Sequence, residues 1–291
     1  MSTSEGYRPR GAALQRRRLG TELRILRRDA GLTQTDAGKE LDWSAPTVSR
    51  VERGRVGVTP RDVRDLLRLY GVEEQRPDLL QLAAETRRRD AFWQPYGDVP
   101  PQHRVYVELE QSAAWIRQYE CLMVPGLLQS RPYASALSKV SFPDASAQQV
   151  KQLIELRLAR QALLLDDDPP RFDAVLDEGV LHRLIGGREV MADQLSRLAD
   201  AAERPGVTLQ VIPFDAGEHW GMAGAFTMLS FRGPADRDEI WFEYSGGERT
   251  ASTSSQVRRH TRLFADLQRA ALSPGQTVAL IRARAARLRS A

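Results

Sequence analysis

The sequence predicts two domains of different class: an all-α N-terminal domain of short helices, and a C-terminal α+β domain with a small mixed or antiparallel sheet and long helices. Three observations predict this. The chain has 291 residues, and one domain usually takes about 100–200. From Leu14 to Arg89 the pattern is one of short helices with tight breaks. Beyond residue 101, short alternating runs that suit half-buried strands are interleaved with longer helical stripes.

The elements follow in order. Residues 1–12 are polar, with Gly6, Pro9 and Gly11, and read as a flexible basic arm. Leu19, Leu23, Leu26 and Ala30 share one helical face, and Gly31 ends that helix. Thr33 suits an N-cap for a second helix, Gln34–Leu41. Asp42-Trp43 makes a short turn, Ser44 caps a third helix, Ala45–Arg53, and Gly54 stops it. Phe92, Trp93, Pro95, Tyr96, Gly97, Pro100 and Pro101 form a stretch through which a helix does not easily continue. The boundary is therefore placed near residue 90, which gives an arm over 1–12, an N-terminal domain over 13–90 and a C-terminal domain over 91–291. In the latter, Ser146–Leu165 is a helical stripe, and Asp166-Asp167-Asp168-Pro169-Pro170 ends it. Strands are predicted at Phe172–Leu176, Val207–Pro213, Phe226–Phe231 and Ile240–Tyr244, with a turn at Gly233-Pro234. Helices are predicted near 178–185 and 188–203, and two more over 254–291, split by Ser273-Pro274-Gly275. No repeat at a solenoid or propeller period is seen.

Charge divides along the same lines. The formal net charge is +4, but residues 1–90 carry +5, residues 91–257 carry −8 and residues 258–291 carry +7. No apolar run reaches the ~20 residues of a membrane-spanning helix, and Met-Ser-Thr-Ser-Glu-Gly lacks an apolar signal core. Cys121 is the single cysteine. A cytoplasmic protein, associated with the nucleoid and not with a membrane, is expected.

Two short helices joined by a turn of about 3–4 residues make a helix-turn-helix, whose second helix fits the DNA major groove. On the third helix Val48 and Val51 face inward, while Ala45, Thr47, Ser49 and Arg50 face out. Arg50 is long enough to reach guanine O6 and N7. Ser44, Thr47 and Gln34 carry donors for phosphates, and both helix N-termini add backbone N–H groups. Taken singly, each Ser or Thr reads more simply as a cap or a solvated side chain; the ordered set shifts the balance to a double-stranded operator.

The residues Leu23-Arg24-x-Leu26-Arg27-x-x-x-Gly31-Leu32-Thr33-Gln34, then Ser44-x-x-x-Val48-Ser49-Arg50-x-Glu52-x-Gly54, with Pro60 beyond, resemble the lambda-repressor-like, XRE-type helix-turn-helix over about 60 residues. The resemblance implies that Gln34, with the cap Thr33, lies against the DNA backbone. It implies that Ser44, Ala45, Pro46, Thr47, Ser49 and Arg50 read bases, and that Arg27 and Glu52 form a partly buried structural salt bridge. Two departures stand out. Gly38 falls one residue after the position where the family has Ala, and glycine costs roughly 0.5–1 kcal/mol inside a helix. Ala45 and Pro46 replace amide side chains, so adenine reading by Gln does not carry over.

Further along, Trp93-x-x-Tyr96-Gly97-Asp98-Val99, Tyr119-Glu120-x-x-x-Val124-Pro125-Gly126-Leu127-Leu128-Gln129-x-x-x-Tyr133-Ala134, Arg157-x-x-Arg160-Gln161, Val175-Leu176-Asp177-Glu178 and Val207–Pro213 are similar to actinomycete WhiJ-like or Scr-type antitoxin-like regulators. That resemblance implies a regulator paired with a small partner protein encoded nearby.

No catalytic residue, metal ligand set or cofactor is expected. His103, His182, His219 and His260 are too scattered for a metal motif, and neither Gly-x-Ser-x-Gly nor a P-loop occurs. Asp166-Asp167-Asp168 reads as a solvated helix end. Glu218-His219-Trp220-Gly221 with Gly224 reads as a connection between strands, or alternatively as a loop over a pocket. Cys121 reads as an inert thiol, since there is no resolving cysteine. Trp93, Tyr96, Trp115, Tyr119 and Trp241 read as core. Arg258, Arg259, Arg262, Arg282, Arg284, Arg287 and Arg289 cluster near the end of the sequence with one acid, Asp266. A protein contact is expected there, so deleting 276–291 should weaken association and leave the fold intact. The expected function is sequence-specific transcription regulation by a homodimer whose C-terminal domain receives a partner protein or a signal. The alternatives are an antitoxin-like protein that sequesters a small partner, and a small-molecule sensor or enzyme.

Overall fold

The computed structural model describes residues 12–88, 93–97, 99–233, 236–244 and 247–290. The arm expected over 1–12 falls outside them except for Ala12, as do Phe92, Asp98 and Pro234 of the stretches named above. The chain divides into two compact units, residues 1–95 with 101–112, and residues 96–100 with 113–291.

The first unit is all helical. It comprises α1 (Ala12–Asp29), α2 (Gln34–Glu40), α3 (Ala45–Glu52), α4 (Pro60–Leu69), α5 (Pro77–Arg88) and α6 (Pro101–Ser112). Each short helix begins on a side-chain cap. Thr33 and Thr59 make capping boxes with Asp36 and Asp62, and the Ser44 hydroxyl accepts from the Thr47 N–H. Leu19, Leu23, Val48, Val51, Val63, Leu66, Leu67 and Leu79 form the core. This unit reaches past residue 90, because α6 packs on α1. Glu108 of α6 pairs with Arg16 at 2.6 Å and accepts from Trp93 Nε1 at 2.7 Å.

Close backbone approach sets the position of α3 against α1. A Cβ on Gly20 would lie 2.3 Å from the Val51 carbonyl oxygen and 2.8 Å from that of Glu52. Gly54 has φ of +67°, and a Cβ there would lie 2.5 Å from Arg17 Cα. We expect Gly20→Ala to lower stability by about 1–3 kcal/mol, because overpacking forces helices apart. Chemical denaturation checks this; an unchanged midpoint would mean that α1 shifts freely. Gly38 is explained in the same way. Its Cβ would lie 2.4 Å from the Trp43 carbonyl oxygen, and its own carbonyl accepts from the Trp43 N–H at 2.7 Å. The glycine that looks costly on helix propensity is what lets the turn fold back, with Asp42 at φ +53°.

The second unit holds a six-stranded mixed sheet of order β3-β2-β1-β4-β5-β6. The strands are β1 (Trp115–Glu120), β2 (Arg171–Asp177), β3 (Val207–Ile212), β4 (Phe226–Ser230), β5 (Glu239–Tyr244) and β6 (Gly247–Ala251). The first three run parallel, and β4 pairs antiparallel to β1 with Tyr119 opposite Phe226. Helices α7 (Arg131–Ser141) and α8 (Ala147–Arg160) lie between β1 and β2 in the chain. After β2 come α9 (Gly179–His182) and α10 (Arg188–Ala202), and after β6 come α11 (Ser254–Ala270) and α12 (Pro274–Ser290). Phe264 and Leu267 of α11 pack on the sheet face that carries Tyr119, Val175, Phe226, Met228 and Ile240.

The end of the chain is built into the second unit. Helix α12 packs on α10 and β3, and it buries Thr277, Ile281, Ala285 and Leu288. Thr277 Oγ1 accepts from the N–H of Val211, and the Val211 carbonyl accepts from Leu272. These contacts satisfy backbone groups of β3, the edge strand, which would otherwise be open to pairing. Three of the tail arginines have partners within the chain: Arg282 with Glu203 at 2.8 Å, Arg289 with Asp193 at 3.2 Å, and Arg284 with the Leu181 carbonyl. A charge run cannot show this from composition, because its counterions lie 79 and 96 residues away.

Candidate DNA-binding surface

Helices α2 and α3, joined by the four residues Leu41–Ser44, form the helix-turn-helix. The exposed side of α3 is built from its own spacing. Ser44, Thr47 and Arg50 are three residues apart and so lie on one face. Ser44 Oγ is 2.9 Å from Thr47 Oγ1, which accepts from Arg50 Nη2 at 3.2 Å. Ser44, Pro46 and Arg50 are exposed, while Ala45, Thr47 and Ser49 are half-buried. Val48 and Val51, on the other side, are buried.

Behind this face lies a buried ionic assembly. Arg27 Nε is 2.5 Å from Glu52 Oε1 and Nη2 is 3.2 Å from Oε2, a bidentate pair. Arg27 also donates to the Leu32 carbonyl, at 2.5 Å. Both side chains are buried. The hydrogen bond to Glu52 holds the Arg27 guanidinium above its ordinary pKa against the opposing cost of burial. The pair joins the C-terminal end of α1, the loop before α2 and the last residue of α3. Gln34 joins the assembly: its Nε2 donates to Glu52 Oε2 at 2.8 Å. The amide expected to face the DNA backbone is thus oriented by Glu52, and its donor is directed inward. Thr33 is likewise engaged, donating to Asp36 Oδ2 at 2.6 Å.

Arg50 and Arg53 have no carboxylate within ion-pair distance among the described residues, and both are exposed. By contrast, Arg68 and Arg76 in the same unit pair with Glu73, and with Glu22 and Asp78. Arg53, just past the C-terminal end of α3, was not singled out in the sequence. Its signal is only its place beside Gly54, which by itself marks a helix end.

Most of the remaining candidates fall in the second unit and serve its fold. His219 Nδ1 accepts from Gly221 N–H, which leaves Nε2 to donate toward Asp177, 3.5 Å away. The 218–224 segment is therefore a tied-down turn between β3 and β4. The guanidinium groups of Arg117 and Arg171 both lie over the Trp115 ring, 4.1 and 4.6 Å from its centroid. Tyr119 and Trp241 are buried, whereas Trp93 and Tyr96 are half-buried. Asp168 pairs with Arg232 at 2.7 Å. Cys121 is half-buried, and burial raises its thiol pKa. Among the described residues no group of three or more His, Cys, Asp or Glu is placed to hold a metal ion. No described helix is long and apolar enough to cross a membrane.

Residues 18–80 match a helix-turn-helix domain family, and residues 103–283, more than half of the chain, match a family described as a domain of unknown function, DUF5753. No curated protein and no solved structure matches the chain.

Proposed function

The chain belongs to the DUF5753 family and carries a helix-turn-helix domain ahead of it, and from that premise we propose that it is a sequence-specific transcription regulator. The first unit binds a double-stranded operator through α3. The second unit dimerises and receives a signal. The observation that carries this reading is the exposed Ser44–Thr47–Arg50 face, fixed from behind by the Arg27–Glu52–Gln34 assembly. The assembly immobilises the helix before DNA arrives, so less ordering remains to be done on binding. Arg50 is the base-reading residue, and Ser44 and Thr47 are placed for phosphate or base contacts.

One helix-turn-helix buries little DNA surface, since single modules cover about 600–1,000 Å². A homodimer on half-sites about 34–36 Å apart raises the affinity. The site takes no cofactor and no catalytic residue is assigned. An antitoxin-like role, in which the second unit holds a small partner protein and DNA binding is autoregulatory, is the second reading. It is favoured by the likeness of the second unit to WhiJ-like and Scr-type regulators.

The test begins by selecting bound sequences from a random duplex pool. On the selected site, Arg50→Ala should weaken binding by roughly 1–3 kcal/mol, or about 5- to 150-fold, and relax preference at one base position. Equal affinity and equal preference would remove Arg50 from the reading surface. No enriched sequence in the pool would overturn the regulator reading itself.

A further inference from the structure

The strand register gathers a polar patch on the sheet face away from α11. Gln118, Thr227 and Trp241 stand side by side across β1, β4 and β5. Strands β1 and β5 run in the same direction, so Glu120 and Glu243, two residues further on, lie at the same end of that face. Gln118 Nε2 donates to Glu120 Oε1 at 2.8 Å. Arg157, in the last turn of α8, lies close enough to both carboxylates to feel their charge.

The motif residues of the second unit position this arginine. Gln129 donates to the Val124 carbonyl at 2.7 Å and accepts from Arg157 Nη1 at 2.8 Å. Gln161 donates to the carbonyls of Gly126 and Gln129. Tyr133 Oη accepts from Val124 N–H. A buried hydrogen-bonded turn over 124–129 is thus built around one guanidinium.

That guanidinium is underused. Arg157 makes a single hydrogen bond, to Gln129, and no carboxylate lies within ion-pair distance of it among the described residues. Burial and the neighbouring Arg160 lower its pKa to about 10. Glu120 accepts only from Gln118, and burial with the nearby Glu243 pushes its pKa up to about 8. Arg157 stays charged, burial and Glu243 favour the neutral acid at Glu120, and the two side chains do not pair. A well-placed ion pair would repay part of that desolvation cost, and no such pair forms here.

We propose that this polar patch binds a small zwitterion of the α-amino-acid class, its carboxylate on the free donors of Arg157 and its ammonium between Glu120 and Glu243. The planar guanidinium suits a carboxylate bidentately, and two acids at one end suit an ammonium better than an anion. Ligand binding would give the second unit the signal that its receiver role requires. The inference deepens that role and is independent of DNA.

The experiment titrates the full-length protein, without DNA, with each common amino acid in turn by calorimetry and by thermal melting. Succinate serves as the anion-only probe and putrescine as the cation-only probe. At least one amino acid should bind saturably and, at a hundredfold excess over Kd, raise the melting midpoint by roughly 5–10 °C, while succinate and putrescine do not. Arg157→Gln and Glu120→Gln should each weaken that binding at least tenfold, with native circular dichroism retained. If either variant misfolds, Glu243→Gln at the exposed rim replaces it. The proposal is overturned if no amino acid binds, if succinate or putrescine binds as tightly, or if the variants bind like the parent. Any of these results leaves operator binding by the first unit standing.

Discussion

Glu52→Ala should destabilise the first unit by about 3–5 kcal/mol and abolish operator binding with it. The magnitude is that expected when one partner of a buried ion pair is removed. Arg27 is 6% exposed, so its guanidinium would remain inside without a counterion, keeping only the Leu32 carbonyl. The Gln34 amide would lose its acceptor as well. Tyr70 borders the same assembly, and burial together with Glu52 raises its hydroxyl pKa. Circular dichroism melting and duplex binding read the two effects. Glu52→Gln keeps an acceptor for Arg27 and should cost less. The double variant Arg27→Met with Glu52→Leu separates charge burial from geometry, since an apolar pair of similar volume is often neutral or better. Its stability should recover most of the loss. If the single Glu52→Ala variant melts like the parent, the assembly does not hold α3.

The same assembly shows what was legible in the sequence. Thr33, Gly31, Ser44 and Gly54 are local signals: a cap needs its own hydroxyl, and a helix stop needs a residue that tolerates positive φ. These placed α2 and α3 to within a residue of Gln34–Glu40 and Ala45–Glu52. The ring of Gly20 and Gly38 against distant carbonyls was not legible, because a close approach depends on the packing of a second helix or on the return of a turn. Strand β1 was missed altogether. Its Arg117 and Gln118 are buried, so a hydropathy pattern sees no strand. The terminal nitrogens of Arg117 donate to Ser230, Asp238 and Thr261, all more than 100 residues away. Strand β6, Gly-Glu-Arg-Thr-Ala, fails the pattern for its polarity. The motif residues Glu120, Gln129, Arg157 and Gln161 were legible as a likeness, but their convergence around one turn required the fold. The basic tail was legible as charge, whereas the packing of α12 on α10 and β3 required the fold.

Ending the chain after Leu272, which removes α12, should unfold the second unit or leave it marginal. Two large apolar side chains, Ile281 at 0% and Leu288 at 5% exposure, are lost from the core, and burying each such side chain is worth about 1.5–3 kcal/mol. Val211 loses the Thr277 acceptor of its N–H, and a buried donor left unpaired costs roughly 1–3 kcal/mol. The sum, several kcal/mol, is comparable to the whole stability of a domain, about 5–15 kcal/mol. It also uncovers one side of α10 and the edge of β3, which invites aggregation through strand pairing. The charges contribute little by comparison: Arg282–Glu203 and Arg289–Asp193 are exposed pairs, worth about 0–1 kcal/mol each. Replacing Arg282, Arg287 and Arg289 together by Gln should therefore shift the melting midpoint only slightly, while the truncation removes the transition of the second unit and exposes it to protease. A truncated chain that melts and resists cleavage like the parent would show that α12 is an appendage. In that case the unpaired Arg258, Arg259 and Arg262 of α11, together with the tail, would again be free to serve another molecule.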